Sequence, residues 1–526
     1  TIEKREFLFD SPDKSREFLS KNFCRLIVQL DSFASPVYWS LKDYELLRMT
    51  KELQTERDEY KEDTDVSIST SLLKKKTKKQ KEVQTNLPKQ KSSILKMIPT
   101  TEELAHLQHL LQRDPLNQDF NDKEKEILLK CRHHYKTLTK GLPIFLMAID
   151  WSDPAMVKEA HLMLREWAPL EPSEAIVLLD ARYGDEAVRA YAVERISKMS
   201  DDELSLFLLE LTMALLYEPS HLSFLGEFLL ERSLANHQLI GHEFYWLLRS
   251  QLHVKVSYER YYLLLEQFLM LTGSYRKDLL NQIFANDSIQ QIAEEITRMS
   301  DKKAMKSHSK NSLNELNKVL PAEFSFSLDS RMRVSGFAAE ECKIMDSKKL
   351  PLWIAGKNAQ PKADKILIIF KVGDDLRQDL LTLQLIRIMD KIWLDNGLDL
   401  RMKPYRVIST ADQVGMIEVV VNSNTISNIQ KEYGGTFGAL KDTTLKDYIE
   451  KYNPDPVNKE RAIDNFMRSL AGYCVATYIL GIGDRHTGNI MITKSGHLFH
   501  IDFGHFLGNF KSKFGIKRGK TDLIFD

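Results

Sequence analysis

The chain has 526 residues, which is too long for one hydrophobic core, so several domains are expected. Lys and Arg together number 74, as do Asp and Glu, and this balance excludes a general electrostatic attraction to nucleic acid or to membranes. Any such partner has to be bound by a local patch of charge. The four scattered cysteines match no metal-binding spacing, which is typical of reduced thiols in a cytosolic protein.

The first hundred residues contain little that predicts a folded domain. Residues 1–50 include one strand-like stretch, CRLIVQL at 24–30, and a single strand needs partners from elsewhere. Residues 51–97 are highly charged and include KKKTKKQK at 74–81. We expect a solvated linker here, with a basic tether for acidic lipid headgroups as the alternative. No apolar run is long enough to span a membrane, so any membrane contact is expected to be peripheral.

Residues 98–320 carry the apolar period of amphipathic helices. Ser200 and Glu203 form a predicted capping box, and Asp185 is the predicted cap of the preceding helix. Short helices joined by short turns predict stacked helical pairs, an α-solenoid. Turn signals recur at Asp153-Pro154, Glu171-Pro172 and Glu218-Pro219.

From residue 321 onward the apolar period becomes that of strands. Asp374 and Asp375 are expected to cap one helix within this region. We predict a two-lobed mixed domain, with lobes at 321–418 and 419–526, and thus a multidomain α+β protein. Predicted strands lie at 342–345, 352–354, 366–371, 405–409 and 415–421.

The stretch GIGDRHTGNIMITKSGHLFHIDFG, residues 481–504, places two acids, an imidazole and an amide close together. Phosphoryl transfer needs metal ligands, a cation on the phosphates and a group near the attacking hydroxyl. Asn489 and Asp502 offer the hard oxygen atoms that Mg²⁺ prefers, and a predicted hairpin would bring them to one mouth. Asp484 and His486 lie on the same loop, and either is a candidate to handle the proton.

Two residues of the other lobe complete this hypothesis. Lys371 ends an apolar strand and suits a cation that reaches phosphate, and Asp379 on the next helix is a candidate to hold it. A strand-end lysine is usually only solvated, and Asp-Phe-Gly also occurs by chance. The joint spacing of D-R-H-x-x-N, a hairpin and D-F-G is nevertheless specific for phosphotransfer.

This stretch resembles the phosphoinositide 3-kinases and their protein-kinase relatives, which use D-R-H-x-x-N where ordinary protein kinases use H-R-D. The resemblance covers residues 100–518 and implies ATP as the phosphate donor and Mg²⁺, or alternatively Mn²⁺, as the metal. It also implies a phosphate-binding loop at 342–354 and an adenine-binding hinge at 415–420. By that likeness the nucleotide site would include Met345, Ser347, Lys349, Lys371, Asp379, Tyr405, Ile417, Glu418 and Val420.

Other segments resemble the remaining domains of that family. LRSQLH at 248–253 and AVRAYAVERI at 187–196 resemble its helical accessory domain, and SFASPVYW at 32–39 resembles the end of its C2 β-sandwich. Residues 1–50 are therefore expected to be a C2 remnant. The resemblance implies a phosphoinositide partner, a regulatory adaptor bound through the C2 and helical regions, and recruitment from the cytoplasm to the plasma membrane.

The loop after D-F-G carries four cations within eight residues: Lys511, Lys513, Lys517 and Arg518. A bisphosphorylated inositol headgroup needs several cations, whereas a protein hydroxyl does not. A solvated basic loop is the alternative. The cluster resembles class I phosphoinositide 3-kinases, which implies phosphorylation of the 3-hydroxyl of phosphatidylinositol 4,5-bisphosphate.

After Arg518 the sequence departs from that family, which continues with Glu-Arg-Val-Pro-Phe and most of the helical C-lobe. We also expect this chain to lack the adaptor- and Ras-binding modules of that family. We expect a fragment, a spliced product or a faulty gene model, in which apolar side chains of a helix at 461–480 are exposed. A non-catalytic interaction fragment and a related serine/threonine protein kinase stay open as alternatives. The lipid kinase is favoured because every catalytic position is retained.

Overall fold

The computed structural model describes residues 94–95, 97–113, 119–435 and 443–505, and the backbone of 512–513 and 516–517. The predicted C2 remnant, the strand at 24–30 and the charged linker up to residue 93 lie outside the described residues. None of the helices in the described ranges is long and apolar enough to cross a membrane.

The first part of the described chain is helical. Each helix packs against helices one or two places away along the chain, which confirms the predicted solenoid of stacked pairs. The bounds are α1 Thr101–Leu110, α2 Asp122–Tyr135, α3 Gly141–Ala148, α4 Pro154–Glu166, α5 Pro172–Ala175, α6 Glu186–Ile196, α7 Asp201–Ala214, α8 Phe224–Ala235, α9 His242–Ser250, α10 Tyr258–Leu271, α11 Tyr275–Thr297 and α12 Lys302–Val319. Short 3₁₀ or π turns occupy Ile176–Leu179, Leu215–Tyr217 and His237–Gly241.

Local caps begin these helices as the sequence predicts. The Ser200 hydroxyl accepts from the Glu203 N–H at 3.3 Å, and the Glu203 carboxylate accepts from the Ser200 N–H at 3.0 Å, which completes the capping box. Asp185 caps α6 by accepting from the Val188 N–H at 3.1 Å. One apolar face of α7 points into the core, with Phe207 half-buried and Leu204, Leu208 and Leu211 buried, as is Leu215 in the turn that follows.

The strands that follow form an antiparallel sheet. Within the described residues its order is β1-β2-β4-β5-β7-β6, with β3 paired to β4. Each predicted strand occurs with its ends shifted by at most four residues, whereas the short strands β1, β2 and β8 were not predicted. The bounds are β1 Phe324–Ser325, β2 Arg333–Phe337, β3 Lys343–Ile344, β4 Leu352–Asn358, β5 Ile366–Val372, β6 Val407–Ala411, β7 Val414–Glu418 and β8 Ser423–Thr425.

One helix, α13 (Arg377–Asp395), connects this sheet to the helical region. The prediction that Asp374 and Asp375 cap it is only partly right. The cap position is Leu376, which has no side-chain acceptor, and the Asp375 carboxylate accepts from the first helical N–H at 3.1 Å. Asp374 instead binds Lys371.

The second lobe contains three helices and two small sheets among the described residues, and β8 belongs to the larger of these sheets. The predicted hairpin is confirmed, since β9 and β10 pair antiparallel with Leu498 opposite Ile492. Its turn requires Gly496, whose φ is 91° and where a Cβ would lie 2.0 Å from the Ala462 carbonyl oxygen. The bounds are α14 Ile426–Gly434, α15 Thr444–Tyr452, α16 Pro456–Ile479, β9 Ile490–Thr493, β10 Leu498–His500, β11 Ser512–Lys513 and β12 Ile516–Lys517.

Helix α16 begins at Pro456, five residues before the predicted start at 461, because Asp455 caps it by accepting from the Asn458 N–H at 3.0 Å. The apolar side chains of Met467, Val475 and Tyr478 on this helix are exposed, as expected from the sequence.

Candidate active site

The loop between α16 and β9 holds three of the predicted site residues. The Asn489 N–H donates to the His486 carbonyl oxygen at 2.8 Å, and its side-chain amide donates to the Asp484 carbonyl oxygen at 3.1 Å. The amide nitrogen is thus used inside the loop, which leaves Oδ1 as the side-chain atom that can bind a cation.

The ring of His486 is oriented by the same loop. Its Nδ1 atom accepts from the Gly488 N–H at 3.1 Å. A neutral imidazole that accepts at Nδ1 carries its proton at Nε2, so the outer edge of this ring is a hydrogen-bond donor.

The hairpin brings the two predicted metal ligands together. The Ile501 N–H donates to the Asn489 carbonyl oxygen at 3.0 Å, so Asn489 pairs with the residue directly before Asp502. Asn489 is buried and Asp502 is exposed. An amide oxygen and a carboxylate on neighbouring backbone segments are ligand types that suit a divalent cation whose remaining ligands are water and phosphate oxygens.

Lys371 lies at the end of β5, as predicted, but its carboxylate partner differs from the prediction. Its ammonium group binds Asp374 at 2.9 Å, with 23% of the lysine side chain exposed. Asp379 was the predicted candidate to hold this lysine, and the two residues interact electrostatically. The hydrogen bond of the Asp379 carboxylate is to the backbone N–H of Phe503 at 3.0 Å, next to Asp502 in the chain.

Asp379 is almost fully buried, at 7% exposure. Burial raises its pKa to about 6, against the opposing effects of the Phe503 N–H and of Lys371. The carboxylates of Asp502 and Asp374 add to the rise. A carboxylate in this position therefore costs folding free energy at neutral pH.

Arg485, the central residue of D-R-H, was missed by sequence reasoning. Its guanidinium donates to the carbonyl oxygens of Gly483 at 3.0 Å and Ile501 at 2.8 Å, and also to that of Asp502. The same group lies 5.6 Å from the centre of the Phe503 ring. The only sequence signal was the position of an arginine between two candidate catalytic residues.

The predicted phosphate-binding loop folds back on itself near the end of β5. The Met345 N–H donates to the Pro351 carbonyl oxygen at 2.8 Å, and the Ser347 N–H donates to the Met345 carbonyl oxygen at 2.9 Å. A Cβ at Gly373 would lie 3.4 Å from the Lys349 ammonium nitrogen. Lys349 is thus close to the end of the strand that carries Lys371.

The predicted hinge lies on β7 and the residues after it. Ile417 pairs with Ile369, two residues before Lys371, so these side chains share one face of the sheet. The Glu418 N–H is used by a hydrogen bond of 2.8 Å to the Arg406 carbonyl oxygen.

The other predicted residues of the adenine pocket lie close to this strand. The Val420 carbonyl oxygen accepts from the Ser423 hydroxyl at 2.6 Å. Tyr405 is buried, and burial together with the Asp379 carboxylate raises the pKa of its phenol.

Only the backbone is described for part of the basic loop. Lys513 and Lys517 belong to β11 and β12, which pair antiparallel with Lys513 opposite Ile516. Lys511 and Arg518 lie outside the described residues, so the headgroup cluster stays a prediction.

Residues 365–523 match the family described as phosphatidylinositol 3- and 4-kinase, and residues 95–305 match the phosphoinositide 3-kinase family accessory domain, the PIK domain. The second match covers most of the helical region, and the first contains Lys371, Asp484, and Asp502.

Three curated relatives from Dictyostelium discoideum are similar to this chain. Phosphatidylinositol 3-kinase 2 is 45% identical over 424 residues, which is 81% of this chain and 23% of the relative. Phosphatidylinositol 3-kinase 1 is 42% identical over 82% of this chain and 28% of its own length. Phosphatidylinositol 3-kinase 3 is 39% identical over 81% of this chain and 25% of its own length. The chain thus spans roughly a quarter of the length of these relatives.

Proposed function

This chain belongs to the phosphoinositide 3-kinase family, and we propose on that premise that it transfers the terminal phosphoryl group of ATP to the 3-hydroxyl of an inositol phospholipid. The catalytic domain of this family uses ATP and a divalent metal. The observation that carries the proposal is the hairpin that holds Asn489 beside Asp502, next to the loop of Asp484 and His486.

We propose Mg²⁺, with Mn²⁺ as the alternative, as the metal held by Asn489 Oδ1 and the Asp502 carboxylate. Magnesium is usually bound by one or two carboxylates together with phosphate oxygens and water, which suits this small set of protein ligands. The metal would neutralise charge on the transferred phosphoryl group. Lys371 and Lys349 would bind phosphate oxygens from the other lobe.

We propose that Asp484 takes the hydroxyl proton, and the orientation of His486 supports this choice. Because Nδ1 accepts a backbone N–H, the neutral ring has no free acceptor and cannot take the hydroxyl proton in this orientation. Asp484 therefore accepts that proton, and the His486 Nε2–H donates a hydrogen bond to an oxygen of the phosphoryl group.

The substrate proposed is phosphatidylinositol 4,5-bisphosphate. Lys511, Lys513, Lys517 and Arg518 would replace water around the two phosphates of its headgroup. We further propose a cytoplasmic protein that is recruited to the plasma membrane, with a regulatory adaptor on its C2 and helical regions. The support for these assignments is the resemblance together with the basic loop.

The decisive experiment is a phosphotransfer assay with the full chain, ATP and vesicles of matched surface charge. Phosphate on the 3-position of the inositol ring is the expected result, with the bisphosphate preferred to unphosphorylated phosphatidylinositol. Phosphorylation of serine peptides in place of lipid would identify a protein kinase. Transfer to neither acceptor would favour the non-catalytic interaction fragment.

A further inference from the structure

Arg485 joins the two loops that carry the proposed site, that of Asp484 and that of Asp502. Its guanidinium donates to the Gly483 carbonyl oxygen on the loop before β9, called here the catalytic loop. It also donates to the carbonyl oxygens of Ile501 and Asp502 on the loop after β10, called here the metal-binding loop. One planar group therefore links its own loop to Ile501 and Asp502, which are 16 and 17 residues away in sequence. The ring of Phe503 covers the same cation at 5.6 Å.

The bridge lies between two residues with a left-handed backbone. Asp484 has a φ of 55° and Asp502 has a φ of 62°, a region that aspartate enters more readily than most residues but still uncommonly. Residues other than glycine in this region are held by surrounding contacts and are concentrated at functional sites. Arg485 directly follows the first of these residues and binds the carbonyl of the second.

The charges around Arg485 also favour a fixed cation. Its guanidinium interacts electrostatically with the carboxylates of Asp502, Asp484 and Asp379. A cation here reduces the repulsion among carboxylates that must come close together to bind a metal and accept a proton.

We propose that Arg485 is a positioning residue that holds the Asp484 and Asp502 loops in one geometry, so that the proton acceptor and the metal ligand are already aligned. This inference rests on the proposed function for its catalytic consequence. Lysine cannot replace this arginine, because one ammonium group cannot reproduce a planar fork that spans several carbonyl oxygens and lies against a ring.

The test compares Arg485→Lys, which keeps the charge, and Arg485→Met, which keeps much of the stem, in the full chain. The matched control is Arg468→Lys on α16, because Arg468 also donates to a carbonyl oxygen, that of Asp399 at 3.2 Å, away from the site. Two quantities are measured: kcat on bisphosphate vesicles, and the affinity for ADP in EDTA and in saturating Mg²⁺.

For both Arg485 variants we expect kcat to fall on the order of 100-fold, the usual cost of a misplacement near 1 Å. The gain in ADP affinity on adding Mg²⁺ should fall by about tenfold, while ADP affinity in EDTA stays within about threefold of wild type. Arg468→Lys should resemble wild type in every measurement.

Wild-type kcat and a wild-type Mg²⁺ gain in Arg485→Lys would overturn the proposal. So would an equal loss of ADP affinity with and without metal, because that pattern indicates general damage to the fold. If the wild-type chain phosphorylates no lipid, the proposed function fails separately, and the Mg²⁺ gain on ADP still tests Arg485. If Arg485→Met does not fold, Arg485→Lys decides.

Discussion

Replacing Asp379 by asparagine should stabilise the apo protein at neutral pH, although it removes a residue at the edge of the site. The Asp379 side chain is 7% exposed, and its pKa is raised from 3.8 to about 6. A shift of about 2 units corresponds to roughly 3 kcal/mol at 1.36 kcal/mol per unit. Asparagine keeps an oxygen that can accept from the Phe503 N–H, so the main contact of the buried group survives.

The sign follows from proton binding. Between pH 4 and 6 the folded state holds a proton on Asp379 that the unfolded state has lost, so the stability contributed by this group falls as pH rises through that window. The Asp379→Asn variant lacks this pH-dependent loss of stability. The pKa of about 6 already includes the attraction to Lys371, so we expect the variant to gain up to about 3 kcal/mol at pH 7.5 and nothing at pH 4.

Hydrogen exchange of peptides that cover α13 is the suitable assay, because it measures local opening without assuming one unfolding transition for a multidomain chain. Variant and wild type are compared at each pH, in EDTA and without nucleotide. Asp374→Asn is the control, since that carboxylate is 46% exposed and should give no stabilisation that grows with pH. Equal destabilisation of Asp379→Asn at pH 4 and pH 7.5 would refute the reasoning.

The remaining predictions concern chemistry in the full chain. Asp502→Asn should abolish turnover while metal-free binding of an ATP-site inhibitor persists; near-normal turnover at saturating Mg²⁺ would contradict its role as a metal ligand. Asp484→Asn should lower kcat by about 10²–10⁴-fold. His486→Asn keeps a hydrogen-bond donor, so its kcat should fall less than that of His486→Ala. Equal losses of kcat in the two His486 variants would count against the donor assignment. The double variant Lys511→Ala with Lys513→Ala should lower turnover of the bisphosphate by about tenfold or more and leave turnover of phosphatidylinositol nearly unchanged. Equal losses of turnover on both lipids would mean that the lysines only attract the membrane.

The sequence predicted best the features that depend on neighbouring residues. The capping box at Ser200 and the hairpin around Gly496 each lie within a few residues, and their hydrogen bonds follow from local backbone geometry. The apolar period and the turn signals predicted the α-solenoid and the two-lobed mixed domain, both of which are confirmed, and the family resemblance added that the second domain is kinase-like.

The side-chain partners that lie far apart in the chain could not be predicted from the sequence. Asp379 was assigned to Lys371 because it is the acid on the next helix, but Asp374 is nearer along the chain, just after the left-handed turn at Gly373. The actual partner of Asp379 is a backbone N–H 124 residues away. The contacts of Arg485 were not predicted for a similar reason, since its partners are backbone carbonyl oxygens, which every residue has.

Helix α13 is where the helical region and the active site meet. Near its start, Asp379 binds the Phe503 N–H beside the metal-binding loop. Further along, the Gln384 amide donates to the Leu206 carbonyl oxygen at 2.5 Å and to the carboxylate of Glu210, both on α7. Burial raises the pKa of Glu210, so a polar partner there matters more than at the surface. One helix therefore contacts both α7 and the backbone beside Asp502. We expect a displacement of α7 to change the position of this backbone, and thus of the proposed metal ligand Asp502.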